Sequence, residues 1–385
     1  MQSTSSRANS IVHAVTSKFN SLAPKRKPSI RDNGGHEWIP LSGIVAEQDG
    51  IFTCLSLGTG MKCLPAARLP RSAGTVLHDW HAEIVAIRAF NRLVLDECRR
   101  LSQGRDPDTD LLVFASPPLD NDQTPPFRIR PGVRLHMYCS EAPCRGHFSR
   151  LGIVRRKPSR ADAPPSSSKS CSDKLALKQC TSLLSSLTSL FVHPSDAYIH
   201  TLVLPASQYV SGACERAFSS TGRMAPVAVA TATVASCCWL DGYGFRPFVI
   251  ETTAEQFYFS REARKAVSPS IVPCNLAVAW SASSVEESIV NGILHGRKAL
   301  DPRGASCMSR RQMWEAAVTV ADALHGRYGK QTKFHKYLTG PTYRHIKDGS
   351  LLAARRAVKA QVRQTALTEW FSDETDSDFG RDVAS

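Results

Sequence analysis

At 385 residues and 42% apolar content the chain can bury a sizeable core in one large domain or two. A formal net charge of +14 and a pI near 9.4 point to a polyanionic partner, nucleic acid first. Its 12 cysteines are irregularly spaced and read as intracellular thiols or metal ligands, not a disulfide framework; no apolar run reaches the roughly 20 residues of a membrane span.

The first thirty residues are Ser-rich and basic, with no acid before Asp32, as in a mitochondrial presequence. Ile11, Val15, Phe19 and Leu22 nevertheless recur at helical spacing, so a packed helix is expected. Pro24-Lys-Arg-Lys-Pro28 has the composition of a nuclear localisation signal. Glu37–Val45 and Gly50–Leu57 read as strands around an Asp49-Gly50 turn. In Leu57-Gly-Thr-Gly-Met-Lys-Cys63 the glycines let backbone approach a ligand and Lys62 can meet a phosphate, although a tight turn explains the spacing equally well.

Next comes Val76-Leu-His-Asp-Trp-His-Ala-Glu83. Asp79 is a favourable N-cap residue, which places His81 and Glu83 in the first turn of a helix running to about Leu101. Two residues are about 200° of helix rotation, so these side chains can share a site only at a helix terminus. Apolar positions go nearly all round this helix, so it is expected to be central, and Arg88 within it needs a partner.

Ser116–Pro131 reads as a loop, and Arg134–Ser140 alternates like a half-buried strand. Pro143-Cys144 follows it, with Pro143 opening a second helix whose N-terminus would lower the Cys144 pKa. His-x-Glu followed by Pro-Cys is the zinc-dependent nucleobase deaminase signature. Arg155–Ser170 is basic, Pro/Ser-rich and expected to be flexible. Leu175–Leu190 has a helical pattern, Ile199–Leu204, Arg246–Ile250 and Val272–Trp280 read as strands, and Ser207–Val234 is patterned weakly enough to be an insertion. Arg310–Leu324 and Ser350–Trp370 read as basic helices, and the acidic stretch Ser372–Asp378 as the start of a solvated tail, 372–385.

His81 and Cys144 supply two metal ligands, and a catalytic zinc needs a third with one position left open. Spacing favours His147, in Cys144-Arg-Gly-His147, over Cys171, which lies across the flexible segment. Three other readings accompany this chemistry: deamination of free cytidine or a nucleotide, a catalytically impaired RNA-binding subunit or scaffold, and a structural zinc module.

Ser170-Cys-Ser-Asp-Lys-Leu-Ala-Leu-Lys178 and Ser186-Leu-Thr-Ser-Leu-Phe-Val192 resemble the second-cysteine segment of the adenosine deaminases acting on RNA, a catalytic domain shared with the tRNA-specific adenosine deaminases. The resemblance extends over Gly58–Cys63, Leu77–Glu83, Ser140–Cys144, Ser309-Arg-Arg, Thr342–Lys347 and Trp370, most of the chain. Phe19–Lys25 and Glu37-Trp38 are similar to the opening of the tRNA-acting branch, and no double-stranded-RNA-binding domain precedes the catalytic part, so tRNA is expected over messenger RNA.

The resemblance implies a single editase domain over 1–385 with a three-layer α/β/α cytidine-deaminase-like fold, a mixed sheet and a C-terminal helical addition. It implies zinc on His81, Cys144 and Cys171, with Glu83 as the proton-transfer residue and Gly60 and Lys62 at the substrate. It further implies a buried inositol hexakisphosphate held by Arg88, Lys174, Arg310, Tyr343, Lys347, Lys359 and Trp370, with Lys178 nearby. The expected reaction is adenosine to inosine in tRNA, at position 37 of alanine tRNA. The protein is expected to be a monomer, away from membranes, in the nucleus or cytoplasm. Met61 stands where the family usually has Thr, the Cys144-Arg-Gly-His147 loop differs from the usual Pro-Cys-Gly-Asp, and Leu177 and Leu184 replace polar residues of other branches.

Overall fold

The computed structural model describes residues 4–104, 110–115, 125–143, 168–232, 239–298, 301–328, 332–368, 370 and 375–381. Strand β1 (His36–Trp38) precedes the hairpin of β2 (Leu41–Gln48) and β3 (Ile51–Thr59), which turns at Asp49 and Gly50, both with positive φ. That conformation matches the right-handed twist of the flanking strands, which is why an Asp-Gly pair sits there. Strands β4 (Met61–Cys63) and β5 (Asp79–His81) form a small antiparallel pair, as do β6 (Leu112–Phe114) and β7 (Phe127–Ile129). The latter places strand structure at the end of the segment expected to be loop.

Strands β8 (Arg134–Cys139), β9 (Ile199–Pro205), β10 (Val249–Thr253), β12 (Ala277–Ser281), β13 (Glu286–Val290) and β14 (Ile293–Leu294) join β2 and β3 in an eight-stranded mixed sheet of order β10-β9-β8-β2-β3-β12-β13-β14. Strand β11 (Ile271–Pro273) pairs with β1 instead, so the single strand expected over Val272–Trp280 is divided. Strand β8 lies inside the sheet, antiparallel to β2 and parallel to β9, and is buried from Leu135 onward. It is therefore a central strand with both faces covered, and not the half-buried one that its alternation suggested.

Helix α1 (Thr4–Asn20) packs Ile11, Val15 and Phe19 against Leu41, Val45 and Leu57. A Cβ at Gly43 would lie 2.6 Å from Val15, so the missing side chain is what admits the helix. Helix α2 (Ala82–Ser102) packs with Ile44, Leu55, Leu135 and Met137, and shares this cluster with α3 (Cys171–Thr181) and α7 (Arg310–Tyr328). Gly58 lets β3 touch the start of α2, since a Cβ there would lie 2.6 Å from Ala86 N, and Ser56 Oγ donates to Ala86 O at 2.9 Å. These two contacts set the height at which α2 begins.

Helix α3 starts at Cys171 and stops at Thr181, where Ser182 takes a positive φ, so the longer helix expected to Leu190 is not formed. Within Ser207–Val234, α4 (Ser211–Phe218) and α5 (Ala225–Ala232) form, and Cys214, Phe218, Met224 and Val227 are buried in the main core. Helix α6 (Arg261–Val267) follows β10, and α8 (Lys333–Leu338), α9 (Tyr343–Asp348) and α10 (Ala353–Thr365) follow α7. The C-terminal stretch expected in solvent instead folds back: Asp376 and Phe379 are buried, the latter within the main core. Charge composition suggested solvation, but ion pairing and an aromatic anchor outweigh it. Among the described residues no helix is long and apolar enough to cross a membrane.

Because α1 docks through a fully buried aromatic, Phe19→Ala is expected to lower unfolding free energy by about 3–5 kcal/mol in urea titrations.

Candidate functional site

The site is built around the β4–β5 pair, in which Met61 opposes His81, Lys62 opposes Trp80 and Cys63 opposes Asp79. Helix α2 begins two residues later than its sequence suggests: His81, with φ −66° and ψ 146°, is the N-cap residue. Asp79 is strand, not cap. Its Oδ1 accepts from His81 N at 2.9 Å and from His81 Nδ1 at 2.7 Å, and its Oδ2 accepts from Ser168 Oγ at 2.7 Å and from Lys174 Nζ. Burial alone would raise the Asp79 carboxyl, but Lys174 and His81 hold it well below the usual carboxylate range. A carboxylate can only accept, so Nδ1 carries the proton and the His81 Nε2 lone pair is left for a metal.

Glu83 lies in the first turn of α2 and is buried. Burial, reinforced by the Glu83 charge, holds the Cys139 thiol at the end of β8 well above its ordinary pKa, which places the carboxylate close to that strand end. Cys171 is the first residue of α3, behind Ser170, whose Oγ accepts from Asp173 N at 3.1 Å. It is buried at a helix N-terminus, a position that favours thiolate. One turn along, Lys174 reaches Asp79, so His81 and Cys171 stand on either side of one ion pair. Cys144 and His147 lie outside the described residues, and among the described residues no group of three His, Cys, Asp or Glu side chains is assembled for a metal.

The approach to Cys144 is nevertheless anchored. Glu141 accepts from Arg261 N at 2.9 Å and from Gln208 Nε2 at 3.1 Å, while Ala142 N donates to Gln208 Oε1 at 2.7 Å. Gly60, at φ +133°, has no room for a Cβ against the Trp80 carbonyl, and its own carbonyl accepts from Ala82 N at 2.9 Å. Its freedom therefore serves the close approach to β5. Lys62 is half-buried and donates to Asn275 Oδ1.

Behind β5 lies a cavity of about 380 Å³. Arg88, Lys174, Lys178, Arg310, Tyr343, Lys359 and Trp370 all line it, as do His78, Asp79 and Arg355. Lys347 lies just beyond this lining, with its Nζ 5.9 Å from the centre of the Tyr343 ring. Most of these cations bond to carbonyls. Arg88 donates to Met308 O at 3.2 Å, Lys178 to Leu183 O and Leu184 O at 2.9 Å, and Arg355 to Thr181 O at 2.7 Å. Carbonyls do not cancel charge. Burial, then Arg355 and Arg88, push Lys178 well below its ordinary pKa; burial, then Arg355 and Lys347, do the same to Lys359. Lys347 is pushed down to about 8 by burial, Arg310 and Arg363. So many converging cations fit a multiply charged anion.

Arg355 and Gln208 were not singled out in the sequence. Arg355 had a signal, a charge on the same face of α10 as the buried Val358 and Val362. Gln208 had none, since its role depends on a turn within weakly patterned sequence.

The adenosine-deaminase (editase) domain family matches residues 56–149 and 153–374. The chain is 37% identical over 352 residues to tRNA-specific adenosine deaminase 1 of Schizosaccharomyces pombe, covering 82% of this chain and 86% of that one. It is 31% identical over 236 residues to the Saccharomyces cerevisiae protein of the same name, covering 50% and 56%. With the double-stranded RNA-specific editase of Drosophila melanogaster it shares 26% over 207 residues, covering 43% and 29%. The chain belongs to the adenosine-deaminase (editase) domain family.

Proposed function

We propose that this chain converts adenosine to inosine in tRNA by zinc-dependent hydrolysis, at position 37 of alanine tRNA, on a three-layer cytidine-deaminase-like fold. The observation that carries the reading is His81 held by Asp79 at the start of α2 with Glu83 in its first turn, in a chain that aligns along 86% of a tRNA-specific relative. His81, Cys144 and Cys171 would hold zinc, which when bound supplies Lewis acidity that brings the pKa of water toward neutrality. Asp79 fixes the His81 tautomer and ring plane. Glu83 takes one proton of the attacking water and delivers it to adenine N1 as water adds at C6; it then takes the remaining hydroxyl proton and passes it to the C6 amino group, which leaves as ammonia while the C6 carbonyl forms. Its burial excludes bulk water from that transfer. An anticodon-loop adenosine suits this site, because an unpaired base leaves its stack at a cost of only a few kcal/mol. The basic balance of the chain serves the phosphates.

Inositol hexakisphosphate is the anion we assign to the cavity, since it carries enough phosphate groups to face cations contributed by α2, α3, α7 and α10 at once. Lys174, which lines the cavity and bonds to Asp79, then joins the anion to the zinc side.

With alanine tRNA, the wild type is expected to form inosine at position 37, and Glu83→Ala to slow this by roughly 100- to 10,000-fold, read by sequencing of the product. Asp79→Ala should weaken zinc retention by about 10- to 100-fold in competition with a chelator. A third expectation concerns pH. Lys347 has a folded pKa of about 8 against 10.5 for an ordinary lysine. In this window the unfolded chain holds more protons, so anion-free protein gains stability as pH rises from about 8 toward 10.5. Calorimetry should show that gain vanish once inositol hexakisphosphate is added, because the anion keeps the folded lysines protonated.

A further inference from the structure

Residues 375–381 begin one position after the stretch matched by the editase family ends, and they make more specific contacts than a trailing acidic segment needs. The Asp376 side chain is 1% exposed. Its Oδ1 accepts from Gly74 N at 2.8 Å, and its Oδ2 accepts from His78 Nε2 at 2.6 Å and from Arg310 Nη1 at 3.4 Å, while its carbonyl accepts from Arg310 as well. Three residues on, the Phe379 ring stacks on Tyr343 with centroids 5.2 Å apart and planes 11° apart. Gly74, at φ +73°, faces that ring at a distance no Cβ could share. Backbone bonds from Tyr343 N to Phe379 O at 3.0 Å and from Arg344 N to Ser377 O at 2.8 Å complete the attachment.

His78, Arg310 and Tyr343 come from separate parts of the chain, and each lines the cavity behind β5. Each is also held by this one short segment. Asp376 partly offsets the charge of Arg310 and ties it to the loop that leads into Asp79 and His81. Phe379 holds Tyr343 from the side. We propose that residues 375–381 are a C-terminal clasp that positions Arg310, Tyr343 and His78 around the anion, so that docking of the clasp and retention of the anion stabilise each other. Asp376 is the positioning residue. The proposal rests on reading the cavity as an inositol hexakisphosphate site. Linkage requires reciprocity: an undocked clasp weakens anion binding by the same factor by which a lost anion weakens clasp docking.

The test uses the full chain as wild type, Asp376→Ala, Asp376→Asn and Phe379→Ala. Glu255→Ala serves as control because its side chain is exposed and lies outside both the clasp and the cavity lining. Dissociation of radiolabelled inositol hexakisphosphate is followed together with hydrogen exchange at the amides of Tyr343 and Arg344. Asp376→Ala and Phe379→Ala are expected to release the anion roughly tenfold faster than wild type and to expose both amides, with protection restored by excess anion. Asp376→Asn, which keeps an oxygen acceptor, should fall between, and Glu255→Ala should match wild type. Should a variant misfold by circular dichroism, Asp376→Asn carries the comparison. Anion release at the wild-type rate from a variant whose amides are exposed would overturn the clasp and leave the anion site standing. Wild type that binds no inositol hexakisphosphate, with both amides protected, would overturn the anion site and the linkage with it.

Discussion

One buried carboxylate joins the chemistry of this protein to its interior. Asp79 accepts from the backbone and ring of His81 on one side and from Lys174 and Ser168 on the other. A lone carboxylate in that position would be protonated or expelled; surrounded by donors, it stays charged. The charge orients the histidine, and the lysine that supports it belongs to the helix that also starts with Cys171. The β4–β5 pairing, the glycine-mediated contact of β3 with α2 and the Ser170 cap all hold the elements carrying these groups in register.

The cavity behind this carboxylate shows the opposite imbalance. Its lysines and arginines face each other across about 380 Å³, bonded largely to carbonyl oxygens. Burial first, and then repulsion between like charges in a low-dielectric space, push Lys178, Lys347 and Lys359 below the ordinary lysine pKa. A polyanion, as proposed for the cavity, would relieve that repulsion. Bound there, it would join folding and the posture of His81 in one electrostatic arrangement. The C-terminal segment adds to it, supplying a carboxylate to Arg310 and an aromatic wall to Tyr343.

The sequence was most informative where physical rules act over short spans. The α1 period, the Asp49-Gly50 turn and the extent of α2 are visible in neighbouring residues, as are His81 and Glu83 at a helix terminus. Most of the cavity cations were named through family resemblance. Their character as a buried cluster was not legible, because Lys347 and Lys359 on a basic helical region have the same pattern as solvated lysines.

Local chemistry, then, was determined by the sequence alone: a basic chain, a His-x-Glu pair at a helix start and cysteines able to join it. Tertiary structure decided how these groups are used. Asp79 has good N-cap chemistry, yet β4 pairs with its segment and Lys174, 95 residues away, claims its carboxylate. The acidic tail suggests solvation, yet Asp376 bonds to Gly74 across 302 residues and its charge is drawn to Arg310. Helical period and capping preference depend on a few neighbouring residues. The partner of a buried charge depends on which distant segments the fold brings within hydrogen-bond reach.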